Sequence, residues 1–176
     1  MYLYVDGEVC SIVDFQHHKP GKGGAFMRMK LKSLVRGRTF EKTYRAEVKV
    51  TQAILEKTDK QFLYRENKDY VFMDMEDYSQ LTVPESRIGD NKYYLLEGET
   101  VVLAMYEGDV LDIELPQKLK MKVVKAEPGL RGDSATGSTK KVELETGLVI
   151  DVPLFIEQEQ SIIVDSRTGE YVTRAD

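Results

Sequence analysis

The eight residues Ala25-Phe26-Met27-Arg28-Met29-Lys30-Leu31-Lys32 alternate between apolar and basic side chains. Successive side chains of a strand point to opposite faces, so this period of two suits a half-buried β-strand and no helix. One face can pack while Arg28, Lys30 and Lys32 line the other. The same grammar of short β-rich segments punctuated by turns runs through all 176 residues. Tyr2–Val5 and Glu8–Phe15 flank Asp6-Gly7, a strong hairpin signal, and Arg36-Gly37 turns the chain into Thr39–Tyr44. Further strands are expected at Ala53–Leu55, Gln61–Tyr64, Tyr70–Met75, Gln80–Val83, Thr100–Tyr106 and Val110–Leu115, with one short helix within Pro84–Leu96. The last sixty residues repeat the pattern at Leu119–Ala126, Lys141–Leu144, Leu148–Val152 and Ser161–Val164, closing in a hairpin around Arg167-Thr168-Gly169. An all-β chain of small barrels follows, with an OB-like barrel the leading candidate for the end of the chain. Neither βαβ alternation nor a heptad seam competes.

Charge divides the chain. Residues 1–50 carry ten Lys or Arg against five Asp or Glu, and residues 51–176 carry fifteen against twenty-five. Between positions 19 and 45, Lys19, Lys22, Arg28, Lys30, Lys32, Arg36, Arg38, Lys42 and Arg45 meet a single acid, Glu41. That is a local electrostatic footprint for phosphate despite a net charge of −5. The change of character near residue 50 and the stop at Pro116 mark three domains, 1–50, 51–116 and 117–176.

Candidate chemistry concentrates on Lys22, at the centre of Lys19-Pro20-Gly21-Lys22-Gly23-Gly24. Glycines remove side-chain cover and permit close approach to another surface, so the loop presents one amine outward. The bland alternative is an exposed hairpin tip whose lysine serves solubility. No Gly-x-x-x-x-Gly-Lys-Ser/Thr spacing makes the loop a nucleotide cradle. An amine nucleophile would need desolvation, against which the glycines argue. Adjacent His17 and His18 point to opposite faces of a strand and do not form a ligand pair, so no metal is expected. Cys10, the one cysteine, lies in an apolar stretch and reads as core. No run approaches the roughly 20 apolar residues that cross a bilayer, which favours a cytoplasmic protein.

His18-Lys19-Pro20-Gly21-Lys22-Gly23-Gly24-Ala25-Phe26, Arg38–Tyr44, Gly129–Gly137, Val152-Pro153-Leu154-Phe155 and Asp165–Val172 together resemble, in order, the motifs of bacterial elongation factor P. The resemblance implies an SH3-like N-terminal domain followed by two OB-like domains. It implies a non-enzymatic factor that binds both ribosomal subunits beside peptidyl-tRNA and promotes peptide-bond formation at consecutive prolines. Lys22 then corresponds to the lysine that reaches the tRNA acceptor end, a candidate for covalent extension by a lysine-modifying enzyme, supported by Lys19, Pro20, Gly21, Gly23 and Gly24. Arg28, Lys30, Lys32, Arg36 and Arg38 become RNA-contact candidates. Gly132, Asp133, Thr136, Gly137 and Lys140 match the loop that approaches the small subunit and the exit-site codon, and Tyr171 and Arg174 match C-terminal contact residues. A monomer without cofactor is expected. Alternatives are an RNA-binding or ribosome-assembly module and a three-domain paralogue. The family usually carries about a dozen residues before the strand matching Tyr2–Val5, and a missing first strand would leave an unpaired barrel edge, so either the sequence is shortened at its start or another segment covers that edge.

Overall fold

A computed structural model of the protein describes residues 1–19, 21, 24–45, 47–127 and 139–175. Among these, fifteen strands form three five-stranded sheets. The first sheet contains β1 (Tyr2–Val5), β2 (Glu8–His18), β3 (Phe26–Ser33), β4 (Thr39–Arg45) and β5 (Thr51–Ala53), in the order β4-β3-β2-β1-β5. Asp6 and Gly7, with φ of 52° and 82°, make the left-handed turn that joins β1 to β2, as a two-residue hairpin loop demands. Leu3, Val5, Cys10, Met29 and Leu31 form the buried cluster of this sheet, edged by Ile12, Met27, Phe40 and Tyr44. Leu31 is fully buried, and a side chain so removed from water contributes roughly 1.5–3 kcal/mol. Cys10 belongs to this cluster, and burial followed by the charge of Glu8 pushes its thiol pKa up, the opposite of what a reactive thiolate needs.

The free edge of β1 pairs antiparallel with β5, Tyr2 opposite Ala53 and Tyr4 opposite Thr51. Thus β5 covers the edge that the sequence left open. That strand spans Thr51–Ala53 rather than Ala53–Leu55, because its limits follow its distant partner.

The second sheet has the order β10-β9-β6-β7-β8, from β6 (Glu56–Glu66), β7 (Asp69–Asp74), β8 (Gln80–Pro84), β9 (Thr100–Tyr106) and β10 (Asp109–Glu114). Between β8 and β9 the expected short helix is a four-residue α1, Glu85–Ile88, continued by a 3-10 helix over Gly89–Tyr94. The third sheet orders β11 (Lys118–Ala126), β12 (Thr139–Leu144), β13 (Val149–Pro153), β14 (Ser161–Asp165) and β15 (Glu170–Arg174) as β13-β12-β11-β14-β15. Its core is built from Leu119, Met121, Val123, Val142, Leu144, Ile150, Val152, Ile156, Ile162 and Val164. Gly169, at φ 73° in the β14–β15 turn, lies where a Cβ would come within 2.8 Å of the Tyr94 hydroxyl, so a side chain here would be strained by its backbone angle and would require the Tyr94 side chain to shift. The chain resolves into two compact units, residues 1–58 with 104–112, and residues 59–103 with 113–176.

Candidate nucleic-acid interface

Residues 19–25 connect β2 to β3, the two strands of a β-hairpin in the first sheet. Pro20, Lys22 and Gly23 lie outside the described residues. Lys19, Gly21 and Gly24 are exposed. A Cβ on Gly21 or Gly24 would meet no described atom within 4 Å.

The hairpin fixes the face below the loop. Pairing runs His18↔Phe26, His17↔Met27, Gln16↔Arg28, Phe15↔Met29 and Asp14↔Lys30, and on the other side Phe26↔Arg45, Arg28↔Thr43, Lys30↔Glu41 and Lys32↔Thr39. Directly opposite residues share a face. The outward face therefore stacks four rows away from the loop: His18–Phe26–Arg45, Gln16–Arg28–Thr43, Asp14–Lys30–Glu41 and Ser11–Lys32–Thr39. Arg28, Lys30 and Lys32 are all exposed, while Met29, Leu31 and Ser33 turn inward. At Val13 the pairing slips by one residue, which brings Asp14 opposite Lys30.

Other cations of the basic segment are engaged by acids that lie far away in sequence. Lys42 Nζ donates to both carboxylate oxygens of Asp6, at 2.6 and 2.8 Å, and that hydrogen bond raises its pKa. Arg36 Nε lies 2.6 Å from Glu8 Oε1, and Glu8 Oε2 accepts the hydroxyl hydrogen of the fully buried Ser33 at 2.6 Å. The Ser33 oxygen in turn accepts the Arg36 amide N–H at 3.1 Å. Arg36 thus anchors the β3–β4 turn, while Arg38 is exposed beside a hollow lined by Val5, Asp6, Glu8, Thr39 and Phe40. Among the described residues, Arg28, Lys32 and Arg45 form no ion pair. The cationic footprint is narrower than the sequence suggests, because Asp6 and Glu8 neutralise part of it from the β1–β2 turn.

In the second unit, Gly132, Asp133, Thr136 and Gly137 lie outside the described residues. Lys140 is half-buried on β12 opposite Val152. Tyr171 and Arg174 do come together on β15, lining a surface hollow with Phe155 and Thr173. The Arg174 guanidinium sits 5.8 Å from the centre of the exposed Phe155 ring, at cation–π range. Sequence reasoning missed Phe155 as a member of this group, since it follows β13 and only the fold brings it to β15. The described residues hold no cluster of three His, Cys, Asp or Glu able to take a metal ion.

Family models cover the chain in three consecutive stretches: the elongation factor P KOW-like domain at residues 1–50, the elongation factor P OB domain at 55–113, and the elongation factor P C-terminal domain at 119–174. Elongation factor P of Mycobacterium marinum is 48% identical over 174 residues, covering 99% of this chain and 93% of that protein. The chain belongs to the elongation factor P family. Elongation factor P of Acidothermus cellulolyticus is 47% identical over 175 residues, and that of Leifsonia xyli 44% over 172, with 99% and 98% of this chain covered and 94% and 92% of those proteins. A solved structure of eukaryotic translation initiation factor 5A from Methanococcus jannaschii is 26% identical, covers 65% of this chain and 84% of its own, and has a TM-score of 0.48. As an elongation factor P the chain serves in translation elongation, and its all-β architecture contains the KOW-like and OB domains of that family.

Proposed function

We propose that this elongation factor P binds the ribosome beside peptidyl-tRNA and promotes peptide-bond formation between consecutive prolines through the Lys22 loop, without covalent chemistry of its own. The observation that carries this reading is the origin of the loop: residues 19–25 leave the sheet at the end of the face bearing Arg28 and Arg45. A bare tip carrying one amine fits a narrow RNA-lined cavity. Proline is a slow partner in peptide transfer because its amine is secondary and its φ is locked. Holding the reactants in place lowers the entropic part of that barrier.

In this reading the parts at 1–50, 51–116 and 117–176 act as successive domains. The first carries Lys22 to the acceptor end, supported by Lys19, Pro20, Gly21, Gly23 and Gly24, with Arg28, Lys30, Lys32, Arg36 and Arg38 toward RNA. The last brings Gly132, Asp133, Thr136, Gly137 and Lys140 to the small subunit and exit-site codon, and Tyr171 and Arg174 to RNA. The protein works in the cytoplasm as a monomer without cofactor, and a modifying enzyme extends Lys22. Intact mass of the protein from its native host reads that extension directly.

The test is rescue of a triple-proline message in a purified translation system. Wild type shortens the stall, and Lys22→Ala loses rescue while ribosome binding persists. Equal rescue by both proteins rejects the role of Lys22.

A further inference from the structure

At the foot of the loop, the last cross-strand pair before residue 19 is a pair of stacked rings. His18 and Phe26 have centroids 5.4 Å apart with planes inclined by 25°. His18 is exposed and Phe26 half-buried, so the stack offers ring surface to the outside. Arg45 stands directly opposite Phe26 in the same row, and Arg28 heads the next row between the neutral Gln16 and Thr43. One row further, Asp14 and Glu41 bracket Lys30. The two rows nearest the loop thus carry Arg45 and Arg28 beside the rings with no acid in either row, and the acidic row separates them from Lys32 in the row beyond.

Rings next to unneutralised arginines make a surface for an unpaired nucleotide. A base stacks on aromatic or imidazole faces, and the guanidinium groups take the adjoining phosphates. A duplex offers its bases no such access, and a protein acidic patch has no need of the rings. We propose that the His18–Phe26 pair, with Arg28 and Arg45, binds a single unpaired RNA nucleotide by base stacking at the root of the Lys22 loop. This inference rests on the reading that the partner of the first unit is RNA, and it adds the kind of RNA: a single-stranded segment rather than helix.

Free RNA tests it apart from translation. Hexaadenylate and a six-unit abasic ribose-phosphate chain of equal charge differ only in their bases. The chain has two histidines, so ring-proton NMR signals of His18 are read against one other residue. Wild type is expected to bind hexaadenylate about tenfold more tightly than the abasic chain, in the range for one stacked base. The His18 ring protons should move upfield with hexaadenylate alone. His18→Ala should bind both chains with the affinity wild type has for the abasic one, and His18→Tyr should restore the preference. Arg28→Gln with Arg45→Gln should weaken both chains alike. Lys22→Ala should keep the preference, which separates this inference from the role of Lys22 in rescue. Equal affinity of wild type for the two chains overturns the proposal, as does a preference that survives in His18→Ala, one that disappears in Lys22→Ala, or tighter binding of duplex RNA.

Discussion

On β3, Met29, Leu31 and Ser33 are buried while Arg28, Lys30 and Lys32 are exposed; on β11, Leu119, Met121 and Val123 are buried while Lys118, Lys120 and Lys122 are exposed. The two strands thus share one alternation and differ in what stands across from the cations. Arg28 and Lys32 lie opposite neutral Gln16, Thr43, Ser11 and Thr39. Lys118 lies opposite Asp165, Lys122 is ion-paired with Glu159, and Lys120 shares a cleft with Glu97, Glu99 and Glu145. An alternating pattern states which side chains face outward. What an outward cation is free to bind depends on strands that are distant in sequence.

The buried halves should behave alike, and this gives the largest expected effect. Leu31→Ala and Met121→Ala each empty a fully buried site, at a cost of about 2–5 kcal/mol. Urea unfolding of each variant checks this. A loss below about 1 kcal/mol at either position would mean that the alternation does not define a core there.

The exposed halves should differ. Arg28→Gln is expected to weaken binding to ribosomes about tenfold and to reduce the slope of log affinity against log salt by about 1, because one phosphate loses its neutralising cation. Lys122→Gln, whose cation is already ion-paired with Glu159, and Lys120→Gln, in a cleft also lined by Glu97, Glu99 and Glu145, should leave the slope unchanged. The same salt dependence for all three variants would erase the distinction between the strands.

Much of the fold was legible because its rules are local. Asp6-Gly7 and Arg36-Gly37 mark real turns, with Gly7 and Gly37 at φ of 82° and 70°, and period-two alternation located β3. What escaped depended on register. The single-residue slip at Val13 decides that Asp14 meets Lys30, and the pairing of Lys42 with Asp6 and of Arg36 with Glu8 spans most of the first sheet. The His18–Phe26 stack had a signal: counting outward in equal steps from the loop sets these two rings opposite one another. Nothing local joins Phe155 to Arg174.

A smaller effect sharpens the contrast at the loop itself. Gly21→Ala should change stability by no more than about 0.5 kcal/mol, since the position is exposed and a Cβ there meets no described atom within 4 Å. Under the proposed function it should nonetheless lower rescue of a triple-proline message, because the added methyl thickens the tip proposed to enter an RNA-lined site. Full rescue by this variant would show that the loop tolerates bulk and that its glycines answer some other need.

The smallest effect concerns the acid that sets β11 apart. Asp165 accepts from the Arg167 side chain and from its amide N–H at 2.8 Å, and these bonds hold its pKa down to about 2. An unfolded aspartate titrates near 3.9. A folded value below the unfolded one means that the charged form favours folding. The contribution is therefore fully present above about pH 4 and disappears as the pH falls toward 2. Asp165→Asn keeps an oxygen for the amide and removes the charge, so it should lower the urea midpoint at pH 7 and converge with wild type near pH 2. Asp74 and Glu85, lowered by Lys60 and Lys92, shift in the same direction and make acid loss common to both proteins. The test is the difference between them: a gap that widens on acidification would reverse the sign and show that the charge of Asp165 does not favour folding.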